Sequence, residues 1–115
     1  MDKPIVLKVY EIVGSGLCIA SVDGDKVFEQ LEKALSQRRK VMLSFFNVDT
    51  LTSAFLNAAI GQLYRLFSDE QVNSLVSYND ISPEDEKLLE LVVKNAKEYF
   101  KAPAIFDQLN KEAME

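Results

Sequence analysis

The sequence predicts a single α/β domain, with a sheet of roughly four strands in mixed orientation, three main helices and a further short helix near the C-terminus. Residues 41–46 form an apolar run with one serine, as in a central strand that is buried on both faces. Two other segments, at about 24–38 and 82–101, carry apolar side chains at helical spacing. A length of 115 residues suits one domain, with a core at about 4–101 and a C-terminal extension over 102–115.

The N-terminal part of the chain predicts a hairpin followed by a helix. Apolar and polar side chains alternate from Ile5 onward, which predicts a first strand over residues 4–13. The turn Gly14-Ser15-Gly16 tolerates positive φ, and residues 17–20 could return as a short second arm. The first helix follows at about 24–38, and its apolar stripe consists of Val27, Phe28, Leu31, Ala34 and Leu35.

The middle of the chain predicts a second helix over about 53–67 that is apolar nearly all round, as in a helix that is deeply buried or covered by a partner. Its small residues Ala58, Ala59 and Gly61 favour close approach of another backbone. Glycine in mid-helix costs about 1 kcal/mol relative to alanine, so we expect a packing role for Gly61. Residues 72–78 alternate again and predict a strand near a sheet edge.

The third helix has the strongest local signal. Ser82 is a capping serine, Pro83 suits the first turn, and the acids that follow complement the helix dipole, so the helix should run to about Lys101. Pro103 ends or redirects the chain. The apolar residues beyond it, Ile105, Phe106 and Leu109, fit a docked turn or a short helix, and docking on the domain itself is favoured over contact with a partner.

Composition argues against several functional classes. Thirteen basic against eighteen acidic residues give a net charge of −5, which opposes binding to a nucleic-acid backbone. The chain has no histidine and a single cysteine, so neither a disulfide nor a recognisable metal site is expected, and the glycines form no phosphate-binding loop. We therefore predict no metal and no cofactor. Cys18 lies in an apolar run, which favours a buried thiol over a reactive one.

The chain carries no pattern typical of membrane insertion or export. The apolar stretch at 5–13 is interrupted by Lys8 and Glu11 and is too short for a span or a convincing signal segment. We expect a cytoplasmic protein without a membrane partner.

The candidate site follows the buried strand. Asn47, Asp49, Thr50, Thr52 and Ser53 come directly after its carboxyl end, where open α/β sheets commonly bind ligands and partners. The simpler role of Thr52 and Ser53 is to cap the second helix, and this role is compatible with modification because a phosphoryl group is favourable at a helix amino end. Position alone assigns no catalytic residue, since no histidine can serve as the base.

The run Leu-Thr-Ser-Ala-Phe-Leu at 51–56, between a hydrophobic strand and an Ala- and Gly-rich helix, resembles a motif of STAS-like domains. These are related to anti-sigma factor antagonists and to STAS domains of sulfate transporters. In that motif, a loop of sequence Asp-Ser-Ser/Thr-Gly opens a helix, and a partner kinase phosphorylates its first serine. The resemblance is closer to an uncharacterised bacterial subfamily with Thr-Ser-x-Phe-Leu at this place, and it covers residues 5–80. Ser53 matches the phosphorylated serine, whereas Thr52 and Phe55 stand where the motif has Asp and Gly.

The resemblance implies a STAS-like fold and a non-enzymatic regulatory module whose output is binding. Its partner would be a serine kinase or an anti-sigma-like ATP-binding regulator, docked through residues 47–53, Leu56 and the rest of the second helix. Phosphorylation of Ser53 would add up to about two negative charges to an apolar docking surface and weaken binding. Asp49 and Thr52 would shape the loop.

Two other functional classes remain open. The same loop and helix amino end could hold a small ligand or anion, which would make the protein a sensor. A small enzyme could instead use Thr52 or Ser53 as a nucleophile, although the sequence displays no group that would activate either hydroxyl.

Overall fold

The computed structural model describes residues 3–101, which form five helices and five short strands. In chain order these are β1 (Ile5–Lys8), α1 (Val9–Val13), β2 (Leu17–Cys18), α2 (Ser21–Ser36), β3 (Val41–Ser44), β4 (Thr50–Leu51), α3, α4 (Asp69–Leu75), β5 (Val76–Asn79) and α5 (Pro83–Lys101). Helix α3 has three consecutive segments, Ser53–Leu56, the π-helical Asn57–Gly61 and Leu63–Leu66. The α/β class and the three main helices, α2, α3 and α5, are confirmed. The predicted C-terminal helix and docked tail, at 102–115, lie outside the described residues.

All strand pairs within residues 3–101 are parallel, so the predicted mixed orientation is wrong. Strand β3 lies between β1 and β5, and their register aligns Val6, Met42 and Ser77 across the three-stranded sheet. Strands β2 and β4 form a separate two-stranded sheet, with Leu17 opposite Thr50. A long connection separates every pair of hydrogen-bonded strands, as parallel pairing requires.

The predicted hairpin is absent because a helical turn replaces the second half of the first strand. Strand β1 ends at Lys8, and the following five residues form α1. Gly14 ends this helix with a φ of 84°, and its N–H donates to the Tyr10 carbonyl at 2.8 Å. The positive φ that the sequence assigned to a hairpin turn therefore belongs to a helix C-cap.

The prediction of a strand over 72–78 is also wrong in its first half, because residues 72–75 belong to a helix. Ser68 and Gln71 form a reciprocal capping box, in which the Gln71 N–H donates to the Ser68 hydroxyl at 3.1 Å and the Gln71 side chain accepts from the Ser68 N–H at 2.8 Å. This cap starts α4, which continues through Leu75. The strand is confined to β5, at an edge of its sheet as expected.

The helices cover one face of the three-stranded sheet. On that face Val41 and Leu43 are fully buried, whereas the opposite face carries Val6, which is 56% exposed, beside the exposed Ser77 and the half-buried Met42. The central position of β3 is confirmed, but within residues 3–101 its cover on both faces is not. The largest fully buried side chains elsewhere in the core are Phe55, Leu31, Leu56, Ile60 and Leu63.

Helices α2 and α3 pack closely where Gly24 meets the first half of α3. A Cβ atom at Gly24 would lie 2.8 Å from the Cβ of Ala58, 3.1 Å from the N atom of Ala59, and closer still to the Phe55 carbonyl oxygen. Close approach at the small residues of α3 is confirmed, but the glycine that permits it is Gly24. The packing role expected for Gly61 is wrong, since a Cβ there would meet its nearest neighbour at 3.4 Å.

In the described part of the chain, no helix combines the length and the hydropathy needed to cross a membrane.

Candidate functional site

The loop that leaves the carboxyl end of β3 is a tight turn anchored at both sides. Asn47 adopts a φ of 65°, in the left-handed region that asparagine tolerates better than most residues. The Ser44 hydroxyl oxygen accepts from the Phe46 N–H at 3.3 Å, and the hydroxyl donates to the Asp80 carboxylate at 3.0 Å. The loop is therefore tied to β3 and to the segment that follows β5.

Gly16 holds the same loop against the segment before β2. The Asp49 and Thr50 N–H groups both donate to the Gly16 carbonyl, at 2.9 and 3.1 Å. A Cβ atom on Gly16 would lie 2.5 Å from the Asn47 carbonyl oxygen and 2.7 Å from the Asp49 carboxylate. Only glycine permits this close approach without a shift of the loop.

Thr52 caps helix α3, so the hydroxyl of Ser53 is not needed for this purpose. The Thr52 hydroxyl accepts from the Phe55 N–H at 3.2 Å and donates to the Ile19 carbonyl at 2.6 Å. Ser53 is the first residue of the helix and is exposed. Its hydroxyl forms no hydrogen bond within residues 3–101. Threonine thus supplies the capping oxygen that aspartate could supply in the related motif.

The other residues of the predicted site divide into surface and core positions. Asn47, Asp49 and Thr50 are exposed on the loop that brings them near the start of α3. Leu56 is 0% exposed and packs in the core, so its side chain is not available at the surface in this conformation.

Besides Phe46, which is 58% exposed at the start of the loop, three exposed apolar side chains near the site were not predicted as part of it. Leu17, Ile19 and Val22, which we call the apolar patch, are 55%, 48% and 63% exposed. Leu17 lies opposite Thr50 in the small sheet, and the Ile19 carbonyl binds the Thr52 hydroxyl, so both border the loop. Val22 follows Ile19 by three residues and lies in the first turn of α2. In a strand, Leu17 and Ile19 point to the face opposite Cys18, so burial of Cys18 would have predicted that both are exposed.

The cleft on the other side of the loop is acidic. It has a volume of about 470 Å³, and its charged lining residues are Asp49, Asp80 and Asp85. No lysine or arginine lines it. Within residues 3–101 no group of three or more His, Cys, Asp or Glu side chains is arranged to hold a metal ion. The local field in this cleft therefore opposes anions.

Cys18 lies under the apolar patch and is 0% exposed, which confirms its predicted burial. Burial raises the pKa of its thiol to about 11, and the Asp23 carboxylate adds to the shift. The thiol is therefore protonated near neutral pH and is a poor nucleophile.

Comparison with protein families matches residues 23–86 to the STAS-like domain of unknown function (DUF4325). Searches of curated proteins and of solved structures gave no significant match. The matched region is more than half of the chain and includes the loop, the Thr52 cap and Ser53. The resemblance carried by the run at 51–56 is thus confirmed, and the chain belongs to the STAS-like domains of unknown function.

Proposed function

We propose that this chain is a non-enzymatic protein-interaction module, which docks a partner through residues 47–53, the exposed start of α3 and the apolar patch. Phosphorylation of Ser53 would switch the docking off. The observation that carries this proposal is the exposed hydroxyl of Ser53, which has no hydrogen-bond partner within residues 3–101 and lies at the start of a helix already capped by Thr52. A modification of Ser53 would therefore leave the hydrogen bond that caps the helix in place.

The expected effect of phosphorylation is electrostatic. A kinase would transfer the γ-phosphoryl group of ATP to the Ser53 Oγ atom and release ADP, which adds up to about two negative charges at neutral pH. The helix amino end would stabilise these charges in the free domain. In a complex they would be desolvated beside Leu17, Ile19 and Val22, so binding would weaken while the fold persisted.

The partner class follows from the resemblance to anti-sigma factor antagonists. We expect a serine kinase or an anti-sigma-like ATP-binding regulator. A role in catalysis has less support, because the chain has no histidine and no base in the described residues binds the Ser53 hydroxyl. The alternative of an anion sensor at the same loop also has less support, because the adjoining cleft is lined by three carboxylates.

Two pairs of matched variants test the docking surface. Ser53→Asp adds a negative charge beside the apolar patch. Ser74→Asp adds the same charge near the end of α4, just before the amino end of β5. Val22→Lys replaces an apolar side chain of the patch, and Val6→Lys replaces a valine of comparable exposure on the open face of the sheet. A partner captured from lysate of the source organism should be purified and titrated against all four variants.

We expect Ser53→Asp and Val22→Lys each to weaken binding about tenfold or more, with Ser74→Asp and Val6→Lys unchanged. Incubation with the partner and ATP should add one phosphate to the wild type and none to Ser53→Ala by intact mass. Equal affinity for all four variants would refute the docking surface. If Val22→Lys binds the partner more weakly but the wild type gains no phosphate on Ser53, the docking surface is supported and the phosphorylation switch is refuted.

A further inference from the structure

A groove of about 350 Å³ lies between the middle of α3 and the last two turns of α5. Its lining includes Asn57, Gly61 and Gln62 from α3, and Asn95, Tyr99 and Phe100 from α5. Among the described residues, no charged side chain lines it. Tyr99 is 57% exposed, and its ring packs edge-on against the half-buried ring of Phe100, with the ring centres 4.8 Å apart. The groove therefore suits apolar side chains rather than a charged ligand.

The polar group at the rim of this groove is already bound within the domain. The Gln62 side-chain amide donates to the Asp25 carboxylate at 3.0 Å and to the Ala58 carbonyl at 2.9 Å. Both of its N–H groups are thus used. The Gln62 amide therefore offers an occupant of the groove contact area rather than free donors.

The chain leaves α5 beside the groove. Tyr64, near the end of α3, lines a cavity together with Leu89, whereas Asn57, nearer the start of α3, lies with Phe100. Helices α3 and α5 are therefore antiparallel, and the last turn of α5 lies beside the first half of α3.

The segment that follows α5 is long enough to turn back along the groove. Residues 102–115 come after Lys101, the last residue of α5. Four residues of extended chain reach about 13 Å, so Ile105 can lie that far from Lys101. Asn95 lies only about 9 Å from Lys101 along the helix axis. The segment can therefore reach the whole α5 wall of the groove.

The sequence of this segment also suits an apolar groove. Pro103 has no N–H and disfavours helical backbone at the residue before it, so the chain changes direction after α5. Ile105, Phe106 and Leu109 then recur at helical spacing. In a helical turn Ile105 and Leu109 lie about 6 Å apart along the axis, the same rise as between residues 95 and 99 of α5. The apolar stripe thus matches the α5 wall in length.

We infer that residues 105–109 form a helical turn that lies antiparallel to α5 and inserts Ile105, Phe106 and Leu109 into the groove. The domain thereby binds its own C-terminal segment beside the first half of α3. The covalent link favours this occupant over a free peptide, because a short tether gives an effective concentration in the millimolar range. The inference does not rest on the proposed function, since it requires neither a partner nor a phosphate on Ser53.

A spin label on the full chain tests where the segment lies. Asn110→Cys supplies the attachment site, and Cys18 should stay unlabelled because it is buried and its pKa is raised to about 11. We expect the label to broaden the groove amides, at 57–62 and 91–96, to an extent that does not depend on protein concentration. Broadening confined to 98–101, or none, would overturn the inference. Broadening of an isotope-labelled chain by a separate spin-labelled chain would assign the groove to a second copy and would also overturn it.

Two pairs of aspartate substitutions in the segment test which of its faces is bound. Ile105→Asp with Phe106→Asp places two charges on the apolar stripe, and Ala104→Asp with Gln108→Asp places the same charges on the other side of the turn. The first pair should shift the groove amides and abolish their broadening by the label at Asn110→Cys. The second pair should leave both unchanged. Equal effects of the two pairs, or groove amides that respond to neither, would overturn the inference.

Discussion

The packing of α2 against α3 depends on the absence of a side chain at Gly24, so Gly24→Ala should destabilise the domain. Alanine gains about 1 kcal/mol over glycine in a helix. The new Cβ, however, would lie 2.8 Å from Ala58, 3.1 Å from the Ala59 N atom and closer to the Phe55 carbonyl. These neighbours are backbone atoms and a methyl group, which cannot rotate away, so the two helices must separate.

Overpacking of this kind costs roughly 1–3 kcal/mol. Because rigid atoms surround the site, we take the upper value and expect a net loss of about 2 kcal/mol after the propensity gain. For a domain of this size the melting temperature should then fall by roughly 8 °C or more. Urea titration monitored by circular dichroism would measure the loss as a lower midpoint with an unchanged slope.

Gly61→Ala is the matched control, because it adds the same methyl group to a helical glycine that has room for it. Its Cβ would meet Asn57 at 3.4 Å and Ala96 at 3.7 Å, both ordinary contacts. We expect a gain of about 0.5–1 kcal/mol from reduced backbone freedom. Equal stabilisation of Gly24→Ala and Gly61→Ala would refute the close approach of the two helices.

Three further predictions concern the loop and the thiol beneath it. Thr52→Ala should lower the free energy of unfolding in urea by about 1 kcal/mol through loss of the cap, and Thr52→Ser, which keeps the hydroxyl that also donates to the Ile19 carbonyl, should lower it less. Gly16→Ala should displace the loop at Asn47 and Asp49, which amide chemical shifts at 46–52 would report. Cys18 should react slowly with a thiol reagent near neutral pH. Because its folded pKa is raised from 9.0 to about 11, unfolding free energy should fall as pH rises through this range, and Cys18→Ala should reduce that slope.

Each of these predictions has a contrary outcome. Thr52→Ser as unstable as Thr52→Ala would contradict the assignment of the cap. Shifts in Gly16→Ala that spread evenly over α5 would point to general destabilisation rather than a displaced loop. Labelling of Cys18 in the folded protein as fast as in urea would contradict its burial.

The sequence predicted the elements whose signals are local. Ser82 and Pro83 marked the start of α5 within one turn, and the stripe from Val27 to Leu35 gave α2 to within three residues at each end. Such signals succeed because capping and helical burial involve residues near each other in the chain. The position of the loop after β3 was predicted from local signals too, namely an apolar run and the polar residues that come after it.

Strand pairing was less predictable because it depends on residues distant in the sequence. Leu17 pairs with Thr50 across α2 and β3, and nothing in residues 14–20 distinguishes this arrangement from a hairpin. The capping box at Ser68 and Gln71, by contrast, is a local signal, but the prediction rested on the alternation that follows it. The apolar patch could not be predicted without the fold, because the exposure of Ile19 depends on which strand covers Cys18.

The sign of the charge near the carboxyl ends of β3 and β5 separates the functional hypotheses. Within residues 3–101, Asp49, Asp80 and Asp85 are the only charged residues that line the cleft, so Coulomb repulsion opposes anionic ligands there. A phosphate on Ser53 would add charge of the same sign. The proposed switch therefore requires a partner whose docking face is apolar or acidic. A basic face would bind the phosphorylated form more tightly, and Ser53→Asp would then raise the affinity instead of lowering it.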